Sequence, residues 1–85
     1  MKASDSLAIK NRALDAIVEI GTSTEHVRAA MEWQNDRKAS PAMRSGEVVA
    51  NLGLALDAIS CARDHLDQLT AKIEAVIERE KGPKQ

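Results

Sequence analysis

Apolar residues recur through the second half of the chain at a spacing that fits a helix and not a strand. Counting in sevens from Leu52 gives Leu52, Ile59, Leu66 and Ile73; three residues beyond each lie Ala55, Ala62, Leu69 and Val76, and Val48 extends that second series backwards. Both inward positions of successive heptads are therefore apolar, and nowhere does the stretch alternate at the period of two that a strand needs. The first half carries a similar stripe, Ala13, Ile17, Ile20, Thr24, Val27 and Met31, at spacings of four, three, four, three and four. Two long helices are expected.

Their limits follow from capping signals. Ser4-Asp5-Ser6 offers N-cap oxygens ahead of Leu7, which places helix one over about 5–36 and leaves residues 1–4 frayed. Thr22 with Glu25 has the spacing of a capping box after Gly21. Against a break there, the stripe crosses Gly21 without losing phase, which favours one continuous helix with Gly21 as the place for a kink. Ser40-Pro41 is a start signal, serine as cap and proline at the first helical position. The connecting turn is then 37–40 and helix two runs over about 41–80, where Lys81-Gly82-Pro83 stops it and 82–85 fray. Short connections make antiparallel neighbours. The fold class is accordingly all-α, a single helical-hairpin domain over 1–85. Position n lies across from about 78 − n, so that Ile20 meets the region of Ile59 and Ala13 that of Leu66. Alanines 13, 16, 55 and 62 allow the helices to approach closely.

A hairpin buries one narrow seam, and these stripes are wider than that. Leu56 and Ile77 sit one place past the second series, and Leu14, Val18 and Val49 flank the stripes. Small chains with too little core usually oligomerise, so the expected outcome is a homodimer forming a four-helix bundle, or a larger helical oligomer. The expected core or oligomer interface comprises Ile17, Ile20, Val27 and Met31 of helix one. From helix two it takes Leu52, Leu56, Ile59, Leu66, Leu69, Ile73, Val76 and Ile77.

Composition supports the helical reading: one Trp, no Phe and no Tyr among 85 residues leave few strand formers. A net charge of −1 gives no global field favouring nucleic acid or an anionic membrane. The apolar runs are too short and too charged to span a bilayer. Met1-Lys2-Ala3-Ser4-Asp5 has no apolar segment of a secretory signal, and the single cysteine, Cys61, has no partner for an internal disulfide. The cytoplasm of a bacterium or a phage-infected cell is the expected compartment.

Candidate chemistry is sparse. Cys61 and His65 are four apart and could supply half of a zinc site, but the other half is missing, since His26 belongs near Leu52. Their use as a catalytic couple lacks an orienting group and an oxyanion loop. The four glycines are scattered singly, so there is no phosphate loop. No enzyme activity, metal or cofactor is expected. Arg63 is the one charge adjoining the second stripe at mid-helix, with Glu19 or a second subunit as its expected partner. The hairpin tip gathers Arg37, Lys38 and Arg44 beside Trp33, with Met31 and Met43 close by. Trp and Arg are enriched in binding hot spots and Met adapts to varied partners, so Trp33, Arg37, Lys38, Met43 and Arg44 form the candidate partner site. The bland alternative is a Trp-Met plug under a solvated basic turn. The expected function is a non-enzymatic protein-interaction module: a helical adaptor, inhibitor or chaperone-like regulator that binds itself and another protein. The alternative is a small nucleic-acid or nucleotide binder using the basic tip. Helical hairpins that dimerise serve as RNA-binding regulators, chaperones and inhibitors, so architecture selects none of these.

Overall fold

A computed structural model describes residues 1–82. Two helices, α1 (Ala3–Gln34) and α2 (Pro41–Lys81), form an antiparallel hairpin. It is a rod of 70 × 16 × 13 Å. Its radius of gyration of 19.4 Å compares with about 12 Å for a compact domain of this length.

The ends of the helices are set by local chemistry. Ser40 has extended backbone, as a residue before proline prefers, and its hydroxyl accepts the Met43 N–H at 3.2 Å. Pro41 follows at the first helical position, where its missing N–H costs nothing. Helix α1 starts earlier than expected. Lys2 is its N-cap, and the Lys2 N–H donates to the Asp5 carboxylate at 3.3 Å. Ala3 and Ser4, expected to fray, lie within the helix. Helix α1 also ends two residues sooner than expected, so the connection spans 35–40. The Asp36 carboxylate accepts the Lys38 N–H at 2.9 Å there, an Asx-type turn. At the other end, Gly82 keeps right-handed helical geometry and donates to the Glu78 carbonyl at 2.7 Å; a left-handed glycine cap is not formed. Pro83, Lys84 and Gln85, expected to stop the helix and fray, lie outside the described residues.

Helix α1 is continuous through Gly21. The Thr22 hydroxyl donates back to the Val18 carbonyl, and those of Ser23 and Thr24 both donate to the Ile20 carbonyl. These three hydroxyls therefore bond back into an ongoing helix, and Thr22 does not cap a new one. A methyl group added at Gly21 would meet nothing within 4 Å. Gly21→Ala should consequently raise stability by about 1 kcal/mol through helix propensity alone. Thermal unfolding at fixed concentration measures this, and a loss of stability would show that the glycine is needed for a bend.

The register is close to the expected one. Arg12 faces His65, and Asp5 faces Lys72, each within one residue of the 78 − n rule. The facing surfaces, however, are displaced. On α1 the seam runs Asp5, Ile9, Arg12, Ala16, Glu19, Ser23, His26, Ala30 and Trp33, all buried or half-buried, with Ala29 half-buried beside it. Each from Arg12 to Ala30 precedes by one a member of the expected stripe. On α2 the seam runs Val48, Asn51, Ala55, Ala58, Ala62, His65, Leu69, Lys72 and Val76. Of the two expected series, the one from Val48 through Val76 faces α1, and the Leu52 series does not. Among the described residues the buried apolar side chains are Ala16, Ala30, Ala55, Ala58, Ala62 and Val76. Small side chains win the seam because they let two backbones approach; the large ones are left to flank it. Ala13 is only half-buried.

Candidate functional site

Rotation about each helix determines where the large apolar residues go. Successive residues advance by 100°, so a residue one past the seam lies to one side of it. The helices run in opposite directions, and the one-past-the-seam positions of both therefore fall on the same broad face of the hairpin. That face carries Ile17, Ile20, Val27 and Met31 from α1, and Val49, Leu52, Leu56, Ile59, Leu66, Ile73 and Ile77 from α2. The exposures agree with this geometry. Residues next to the seam edge, such as Leu52, Ile59, Leu66 and Ile73, are 37–43% exposed, whereas Ile17, Met31, Val49 and Leu56, further round, are 61–67% exposed. Of the residues expected in a core or interface, only Leu69 and Val76 pack between the helices. The other ten line this open face, which also carries Lys10 and Arg63 and is bordered by Arg28 and Glu32 beside Val27 and Met31.

The opposite face is polar. It presents Asp15, Glu25, Asp57, Asp64 and Glu78, with exposed Cys61 among them. Leu54 is exposed on that side, and Val18 lies there one turn from exposed Leu14; scattered aliphatics of this kind are ordinary for a surface. Cys61 and His65, four residues apart, lie in different surroundings. His65 is half-buried in the seam, where Arg12 Nη1 lies 3.1 Å from its Nδ1. An arginine can only donate, so Nδ1 accepts and the ring proton sits on Nε2. Among the described residues no three His, Cys, Asp or Glu side chains come together as metal ligands. Arg63 makes no ion pair with Glu19; it is exposed on the apolar face, and Glu19 is half-buried in the seam.

The tip is less convergent than its composition suggested. Trp33 is half-buried as the last seam residue of α1, while Met31 and Met43 remain exposed and do not close a plug around it. Arg44 is half-buried and donates to the Asp36 carbonyl at 3.0 Å. Arg37 and Lys38 are exposed. The Asp36 carboxylate, with Glu32 and Glu47, shares this end of the rod with the three cations, so the tip is mixed in sign rather than basic.

Sequence reasoning missed the one buried charge among the described residues. Asp5, 3% exposed, ties the first turn of α1 to the last part of α2 at the end of the rod remote from the tip. Its carboxylate meets Lys72 Nζ at 2.9 Å and also pairs with the Arg79 guanidinium. Hydrogen bonds from Lys72 and then Arg79 hold the acid well below the usual carboxylate range, against the opposing effect of burial. Beside them the Met1 ammonium lies 3.1 Å from Glu80. An acid in the first turn of α1 and bases near the end of α2 also suit both helix dipoles. The signal was available: the register alone carries position 5 to the neighbourhood of Lys72.

No protein-family model matches this chain, and neither does any curated protein or solved structure. No helix of the described residues is long and apolar enough to cross a membrane.

Proposed function

We propose that the chain is a non-enzymatic protein-interaction module that works through the apolar face shared by α1 and α2. One observation carries this reading: large aliphatic side chains from both helices lie uncovered on one side of the rod, while alanines fill the seam. Monomeric proteins rarely leave an apolar surface of that extent in water. An adaptor, an inhibitor or a chaperone-like regulator would each use it. A photo-crosslinking side chain at Leu56, on the apolar face, should give protein adducts in the producing cell; the same group at Asp57, on the polar face, should not. Absence of adducts at Leu56 would remove the reading.

The tip supports the nucleic-acid alternative less well, because acids share it with the three cations and backbone binding depends on concentrated positive charge. The double variant Arg37→Glu, Lys38→Glu should keep the wild-type pattern of protein adducts. A filter-binding assay in which wild type retains RNA or DNA, and this variant does not, would favour the alternative.

A further inference from the structure

We infer that the apolar face is covered by a second copy of the same chain, giving a two-fold symmetric four-helix bundle. The inference rests on the interaction-module reading and names its partner. Three features select a second copy.

The first is shape. The face is two helices wide and runs almost the whole rod, from Ile77 near the chain ends to Met31 and Val49 near the tip. A single docked helix would leave half of it wet, whereas another hairpin of equal length and width covers it. The second is area. The chain exposes 6227 Å², while a compact monomer of its mass exposes roughly 4,900 Å². Burying the difference on each of two copies removes about 2,600 Å² in total, inside the range of obligate homodimers. The third is the thinness of the seam. Five alanines and one valine, the buried apolar residues among those described, cannot offset the conformational entropy of ordering two helices of this length. The face must therefore be covered whenever the chain is folded, and the partner present with every chain is another copy of it.

The test is the solution mass of the full chain across a wide concentration range, combined with helicity on dilution. The expected mass is twice the 9.2 kDa of one chain, with helicity and thermal midpoint falling together on dilution. Ile59→Glu, at the centre of the face, should weaken association on the order of a thousandfold, because the symmetry places the new carboxylate in the interface twice. Leu54→Glu on the polar face is the control and should leave the mass unchanged. A one-chain mass with helicity unaffected by dilution overturns the second copy as occupant, and so does an equal loss of association in both variants. The module reading falls separately, by an absence of adducts at Leu56.

Discussion

Replacing Ala62 with leucine is expected to destabilise the protein by about 1–3 kcal/mol, or roughly 5–20 °C in the thermal midpoint for a domain of this size. Ala62 is buried in the middle of the seam, and the register sets it against Ala16, which is equally enclosed. The two backbones sit at a separation that methyl groups permit. A leucine there must push the helices apart along several turns, breaking the contacts of Ala55 and Ala58 as well as its own. Leucine has good helix propensity, so the loss would report packing rather than the helix itself. Ala71→Leu, on the exposed side of the same helix, is the matched control and should change stability by less than about 0.5 kcal/mol. Both are measured at one protein concentration. An Ala62→Leu protein as stable as wild type would mean that the helices do not meet through their alanines.

Asp5→Asn removes the other feature that joins the helices, and its signature is a dependence on pH. The folded carboxylate is held below its ordinary value by Lys72 and Arg79, while an unfolded aspartate titrates near 3.9. A lowered folded value stabilises the protein at every pH above the unfolded value. That contribution is lost as the pH falls from about 4 toward and through the folded value. The variant should unfold several degrees below wild type at pH 7, and the gap should shrink steadily below pH 4. Lys72 and Arg79 are each partly exposed, so water can take over some of their solvation when the carboxylate is gone. That limits the loss at neutral pH without changing the direction of the pH effect. A gap that stays constant from pH 7 down to pH 2 would show that Asp5 is not ion-paired in solution.

The helical hairpin and its register were legible from the sequence, because periodicity, Ser40-Pro41 and short-loop geometry all act locally. The large-residue stripe of α1 lies one residue past the seam, for a physical reason. Apolar patterning ranks positions by the size of the side chain, but close approach of two helices is governed by smallness. Ser23, Ala16 and Ala30 therefore took the seam from Thr24, Ile17 and Met31. On α2 the Val48, Ala55, Ala62, Leu69, Val76 series did face inward, since it is the one rich in small residues. The Leu52 series is more apolar and was pushed to the flank. At the tip, Arg37, Lys38 and Arg44 were correctly placed at one end of the rod. The tip is less basic than those three residues suggest because Asp36, next to Arg37, supplies both a carboxylate and a carbonyl to the turn. The sequence offers Asp5 only as a cap oxygen. It does accept the Lys2 N–H, but its two long-range partners belong to the tertiary fold.

The position of the Asp5 cluster also bears on kinetics. Contacts across the hairpin close loops of very different length. Arg44 and Asp36 are eight residues apart, whereas Asp5 and Arg79 are 74 apart. Closing the short loop costs less entropy, so the hairpin should zip from the Ser40-Pro41 turn outward and lock at Asp5 last. A substitution at Asp5 would then speed unfolding and leave the folding rate almost unchanged, while one at Ala55, nearer the turn, would slow folding.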